Sequence, residues 1–290
     1  MLVGLSKAPL PQPSQYQSIQ ATVPSPFHNR GPSSEASVEI LGQTLSLTMA
    51  EIHRRGWCDG TGGNFSCVLR RDPLELLMAP SGVDKGSVRP GDLIVVDGSG
   101  GVIRGEGKAS AETLLHLEIV AQSGAGAVLH THSQAGTLLS RWLDPQKPQE
   151  LAGEDQETAS VEMASIDHAS TEPASTEPAS IETASVAYLH LSDLEMLKGL
   201  AGVGTHQTVV KVPVLANDQD LARLSKVASP HLGQAPQGLL IAGHGLYAWG
   251  KDLGEAIRHL EIHEFLLEQH WRQLQLQALL GRRGEEGAQR

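Results

Sequence analysis

Two histidines one residue apart, His130 and His132, close the run Ala127-Val128-Leu129-His130-Thr131-His132-Ser133. The small and apolar residues before them predict a short buried strand, and Ser133-Gln134-Ala135-Gly136 predict a turn into a helix. Residues i and i+2 of a strand share a face, so the two imidazoles stand side by side. That spacing suits two ligands of one Zn²⁺ ion. The plainer reading is two polar residues at a strand end. A third histidine, His244, lies between Gly243 and Gly245, just after the apolar run Gly238–Ile241. A histidine held between glycines beside a buried strand is poorly explained by packing. Two carboxylates add proton-transfer chemistry. Glu112 falls in the first turn of a helix expected to begin at an N-cap Ser110, where the ordinary role of an acid is to complement the helix dipole. Glu195 falls on a helix expected from the spacing of Leu191, Leu194, Leu197 and Leu200.

The elements that must position these groups follow in order. Val38, Leu41, Leu45, Met49 and Ile52 recur at helical spacing, and that helix is expected to end near Gly56. The loop Gly56 to Ser66 carries four glycines and Asn64, which permit tight turns and close backbone approach to a ligand. It lacks the lysine of a nucleotide-binding phosphate loop, and a plain connector is the competing reading. Cys67–Arg71 and Leu74–Met78 predict two strands about Asp72-Pro73, followed by the turn-rich loop Ala79 to Lys85. Leu93–Asp97 and Gly101–Arg104 predict a second hairpin. Beyond the central strand, Val209–Leu215 and Gly238–Ile241 read as strands. Asp220–Ala228 reads as a helix, and a long helix is expected from Asp252. His259 and His263 lie four apart on it and are expected on its exposed face. His116 and His206 are expected to be structural, and Tyr247 and Trp249 to belong to the core.

Thirty-three acidic against 22 basic groups give a net charge of −11, which disfavours a general nucleic-acid or anionic-membrane binder. Two cysteines provide no disulfide framework and fit a reducing, cytoplasmic setting. No apolar run approaches the roughly 20 residues needed to cross a bilayer, so no membrane partner is expected. Residues 1–35 are rich in Pro, Ser and Gln and read as a disordered tail. Residues 149–187 repeat Ala, Ser, Thr, Glu and Pro, and read as a low-complexity insert in a single catalytic domain spanning 36–280. Residues 281–290 read as a charged tail.

Gly-Thr-Gly-Gly-Asn-Phe-Ser, Ala-Pro-Ser-Gly-Val-Asp-Lys, Ser-Ala-Glu-Thr, His-Thr-His-Ser and Gly-His-Gly-Leu-Tyr-Ala-Trp-Gly occur in that order. In these motifs the chain resembles the class II aldolase/adducin family, over about residues 38–275 apart from the insert. The resemblance implies a three-layer α/β/α fold with a central, mainly antiparallel sheet, assembled as a homotetramer. It implies one Zn²⁺ per subunit, held by His130, His132 and His244. It implies a sugar-phosphate substrate, with phosphate contacts from Asn64, Ser81, Gly82 and Ser110 and added charge from Lys85. Glu195-Met196-Leu197-Lys198-Gly199-Leu200, with the Tyr-Ala-Trp-Gly after His244, is similar to the dehydratases of methionine salvage within that family. The activity so implied is loss of water from 5-methylthioribulose 1-phosphate, giving 2,3-diketo-5-methylthiopentyl 1-phosphate. Glu195 then matches the acid/base residue and Glu112 a substrate-binding residue near the zinc, although Glu112 also matches the catalytic carboxylate of the family's aldolases. The alternatives are a zinc-dependent sugar-phosphate aldolase or 4-epimerase, and a non-enzymatic adducin-like scaffold, which would be expected to lose the zinc ligands.

Overall fold

The computed structural model describes residues 35–147 and 186–288. All of the expected N-terminal tail but Glu35, which begins a helix, and nearly all of the expected insert lie outside the described residues. Among the described residues, five α-helices and nine strands occur, beginning with α1 Glu35–Arg54, β1 Asn64–Arg71, β2 Leu74–Met78, β3 Ile94–Asp97, β4 Val102–Arg104, α2 Thr113–Ser123, β5 Ala127–Thr131 and α3 Gln134–Trp142. After the insert come β6 Val186–Leu191, β7 Val210–Leu215, α4 Leu221–Leu232, β8 Gly238–Ile241, β9 Gly245–Gly250 and α5 Leu253–Ala288.

The strands form one nine-stranded sheet in the order β4-β3-β2-β1-β5-β9-β8-β7-β6. Only β7 and β8 pair in parallel among the described strands, as the expected mainly antiparallel sheet requires. The short apolar runs explain the layers. Alternate residues of a strand face opposite sides, and both sides of this sheet are covered. Ala127 and Leu129 of β5 pack with Leu45 of α1, Leu139 of α3 and Leu260 of α5. Val128 packs on the other side with Leu115 of α2 and Leu224 of α4. The architecture is therefore helices, sheet, helices. No helix among the described residues is long and apolar enough to cross a membrane.

Several elements differ from the sequence reading. The stretch through Leu191 to Leu200 is not one helix: Leu191 ends β6, and Glu195–Gly199 form a single 3-10 turn. Leu194, Leu197 and Leu200 repeat every three residues, which is the 3-10 period rather than the α-helical 3.6. The strand β6 begins at Val186, inside the stretch assigned to the insert, because Val186 and Ala187 pair with Leu215 and Val214 of β7. The helix α2 begins at Thr113 with Glu112 as its N-cap, not Ser110. The Ser110 hydroxyl instead accepts from the Glu112 amide at 3.3 Å, within the turn before the helix. Backbone of α5 stays helical to Ala288, into the stretch read as a charged tail. His259 and His263 are buried rather than exposed, packed between α5 and the sheet. His259 Nδ1 lies 2.8 Å from the Trp249 carbonyl, and His263 Nε2 lies 2.9 Å from that of Pro236.

Candidate metal centre and active site

The sheet order brings the sequence motifs to one end of three neighbouring strands. β5 runs antiparallel to β1 on one side and to β9 on the other. The C-terminal end of β5, carrying His130 and followed directly by His132, thus meets the N-terminal ends of β1 and β9. Asn64 pairs opposite His130 on β1, and Tyr247 pairs opposite it on β9. His244 immediately precedes β9. Glycine is required at two points of close approach. A Cβ on Gly63 would stand 2.9 Å from the His130 carbonyl, and one on Gly245 only 2.0 Å from that of Thr131. Two of the glycines noted around the motifs therefore keep the strands close enough for their histidines to converge.

Glu112, His130, His132 and His244 each offer a ligand atom, and these atoms all lie within 4.8 Å of one another. His130 Nε2 is 2.8 Å from His132 Nε2 and 3.4 Å from His244 Nε2. Glu112 Oε1 is 2.8 Å from His244 Nε2 and 3.7 Å from His130 Nε2. Second contacts orient the rings. His130 Nδ1 lies 2.9 Å from the Leu246 carbonyl, so it carries its proton there and turns the Nε2 lone pair into the cluster. Tyr247 stacks on the same imidazole, 3.9 Å between centroids and 13° from parallel, as its cross-strand position dictates. The backbone amide of His132 donates to the Trp57 carbonyl at 2.7 Å. The turn carrying His244 is held from α3, where the Thr137 hydroxyl donates to the His244 carbonyl at 3.1 Å.

Electrostatics favour ligating forms. Burial holds His130 far below its usual range, despite the opposing charge of Glu112, and burial also lowers His132. Neutral imidazoles are the form that binds a cation. Burial of Glu112 works against its charge, yet the hydrogen bond from His244 and the fields of His130, His244 and His116 hold its carboxyl at about 2. Asn64 donates to the other carboxylate oxygen. Burial and the neighbouring Glu112 charge push the Tyr247 phenol well up, so it stays protonated. The donor set fits a divalent cation on its own terms. Nε2 atoms of three rings face one another too closely for hydrogen bonds among themselves to satisfy them all, and His244 Nδ1 is a buried atom without a partner. Three nitrogens with an adjacent carboxylate or open position match a catalytic transition-metal site.

Of the expected phosphate-contact residues, Asn64 and Ser110 adjoin Glu112. Asn64 is buried and tied to Glu112, and Ser110 lies in the turn leading to Glu112. Ser81 and Gly82 occupy an exposed loop, anchored where the Ser81 amide donates to the Lys108 carbonyl at 2.8 Å. Lys85 is buried, with Nζ 3.0 Å from the carbonyls of both Thr61 and Val83. It thereby ties the glycine-rich loop to the Ala79–Lys85 loop, and burial lowers its pKa. Glu195 is outside the cluster. Its carboxylate pairs with Lys198 and His206 and its side chain is 72% exposed. Tyr247 belongs to the core as expected, but no spacing in the sequence signals that its ring also lies against His130. A further group, Glu264, carries no signal in the sequence beyond being an acid between the apolar Leu260 and Leu267 of α5.

This α/β/α fold gathers, at the HxH end of a central strand, a third histidine and a glutamate into a group that could hold a metal ion. The chain belongs to the family described as Class II Aldolase and Adducin N-terminal domain, whose model matches residues 43–271. It is 35% identical over 233 residues to a methylthioribulose-1-phosphate dehydratase of Pseudomonas fluorescens (strain Pf0-1), covering 79% of this chain and 91% of that protein. It is 36% identical over 237 residues to one of Stenotrophomonas maltophilia (strain K279a), covering 81% and 92%. Among solved structures, an L-fuculose-1-phosphate aldolase from Thermus thermophilus superposes with a TM-score of 0.56. That match has 21% identity and covers 84% of this chain and 98% of the aldolase, a likeness of fold.

Proposed function

We propose that this chain is a hydro-lyase that converts 5-methylthioribulose 1-phosphate to 2,3-diketo-5-methylthiopentyl 1-phosphate in methionine salvage. The observation that carries the reading is the convergence of Glu112, His130, His132 and His244 in a chain about a third identical to dehydratases of that name. His130, His132 and His244 would hold one Zn²⁺. When bound, the ion would supply positive charge against the negative charge that develops on the substrate's C2 and C3 oxygens. Glu112, ionised and hydrogen-bonded by Asn64, is proposed to take the C3 proton. The electron pair left behind forms the C2–C3 double bond, the C4–oxygen bond then breaks, and the hydroxyl leaves as water once protonated. Ketonisation of the resulting enol at C3 completes the diketone. Ser81, Gly82 and Ser110 are proposed to receive the phosphate, with Lys85 adding charge from beneath the loop. Glu195 is proposed as the acid that assists the departing hydroxyl. Its exposure suits a group presented to a neighbouring copy in a cytoplasmic homotetramer.

One observation favours a second reading: of the two carboxylates, it is Glu112, the one matching the family's aldolases, that stands in the cluster. A zinc-dependent aldolase or 4-epimerase would use the same ion and the same base. Product analysis separates the two. Purified protein loaded with Zn²⁺ should form the phosphorylated diketone, followed by absorbance, and should not split sugar phosphates into smaller fragments. His130→Ala and His244→Ala should each lose the metal by elemental analysis. Fragment formation without diketone would favour the aldolase, and full metal occupancy in both variants would reject the ligand set.

A further inference from the structure

Glu264 lies on α5 and is 3% exposed, yet it belongs neither to the four-group cluster nor to the phosphate loops. Leu260 and Leu267, one turn to either side, are fully buried against the sheet. An apolar side chain would continue their stripe, and a buried carboxyl costs free energy unless hydrogen bonds compensate it. The compensation comes from β5. His130 shares a strand face with Val128, whereas Thr131 faces the opposite way, with Ala127 and Leu129, toward α5. The buried Thr131 hydroxyl donates to Glu264. The Ser133 hydroxyl also favours the charged form of the Glu264 carboxyl, and its oxygen accepts from the Gly136 amide at 3.1 Å and caps α3.

His132 sits between these two residues, beyond the last residue of β5, where the sheet ladder has ended. We infer that Glu264 is a positioning residue for the metal centre: its carboxyl clamps Thr131 and Ser133, the residues on either side of His132, and so aims that imidazole into the cluster. The inference rests on the metal reading proposed above. One buried group would thereby lock three elements, the end of β5, the start of α3 and the middle of α5, around a single ligand. The Trp57 carbonyl holds the His132 amide from the other direction. Partners of this kind behind a ligand typically govern metal affinity by about 10–100-fold.

The test uses the full chain, with Zn²⁺ affinity measured by chelator competition and ligand geometry by the visible spectrum of the Co²⁺-loaded protein. Circular dichroism and thermal melting establish that each variant is folded. Glu264→Leu, which extends the apolar stripe, should fold, bind Zn²⁺ about 10–100-fold more weakly and shift the Co²⁺ bands. Glu264→Gln keeps an acceptor for the Thr131 hydroxyl and should restore most of the affinity and the wild-type spectrum. Thr131→Val removes one donor at nearly constant volume and decides the matter if the leucine variant does not fold. Wild-type affinity and an unchanged Co²⁺ spectrum in a folded Glu264→Leu, or failing that in Thr131→Val, would overturn the clamp. A wild-type protein that takes up neither ion would instead sink the metal reading on which the clamp depends.

Discussion

Replacing Glu264 by glutamine should make the metal-free protein more stable at high pH. Burial pushes this carboxyl from 4.5 up to about 7, Glu268 adds to the rise, and the hydroxyls of Ser133 and Thr131 oppose it. Between those two values the folded chain holds a proton that the unfolded chain has released. Unfolding then releases protons, so stability must fall as pH rises through the window. At about 1.4 kcal/mol per pH unit, the loss saturates above pH 7 at about 3 kcal/mol. Glutamine keeps the shape and an acceptor but has nothing to ionise. The stability difference between variant and wild type should therefore be constant below pH 4.5. It should move by about 3 kcal/mol in favour of glutamine by pH 8. His116 and His263 work in the opposite sense. Burial lowers each to about 4, so the wild type loses stability as pH falls from 6.5 toward 4. Both proteins share that loss, and it cancels in the comparison. Urea unfolding of the two proteins at pH 4 and pH 8, with chelator present, gives the difference directly. A difference independent of pH would refute the account of Glu264 as a compensated buried carboxyl.

At the site itself, Glu112→Gln should lower turnover by about 10²–10⁴, the usual worth of a positioned acid/base, as read by diketone formation at matched zinc content. Glu195→Gln should reduce turnover while leaving zinc content unchanged, and normal turnover would remove Glu195 from the reaction. Gly245→Ala would place a Cβ 2.0 Å from the Thr131 carbonyl and 3.2 Å from the His132 ring, forcing β9 away from β5. Metal content and melting temperature should both drop. Deleting residues 149–185 and bridging with a short Gly/Ser linker should leave folding and diketone formation nearly intact, because closure entropy changes slowly with loop length. The deletion must stop before Val186, whose pairing with Leu215 belongs to the sheet.

Much of the site is legible in the chain because local periodicity and function coincide there. The His130/His132 spacing is a strand repeat, and His130 does lie at the buried end of β5. The glycines flanking His244 mark a turn that side chains would block, and Gly245 shows that block directly. Hairpins about Asp72-Pro73 and Gly98–Gly100 lie where turn residues interrupt apolar runs. Sequence and structure part where one pattern admits two periods. Leucines three apart from Leu191 onward serve both a strand end and a 3-10 turn, so the α-helix expected to carry Glu195 does not form. His259 and His263 depart from expectation for a related reason. Polar side chains on a helix read as a solvated face, but here each finds a backbone carbonyl inside the protein.

Glu264 marks where reading along the chain stops working. A glutamate on an amphipathic helix is ordinarily a surface residue, and the helix alone marks Glu264 only by its place in the apolar stripe of Leu260 and Leu267. What distinguishes it comes from two hydroxyls more than a hundred positions earlier, presented by the pleat of β5 and the cap of α3. The same holds for Glu112. Its carboxylate meets histidines from β5 and from the turn before β9 only because α2 lies across that face of the sheet. Periodicity tells which side of an element a residue takes. It does not tell which polar group from another element waits there, and a buried acid acquires its chemistry from that group. The pairing of Glu264 with Thr131 therefore carries a consequence that strand spacing alone cannot supply. The threonine between the two histidines is a structural donor, and its hydroxyl should matter to metal affinity although it points away from the ion position.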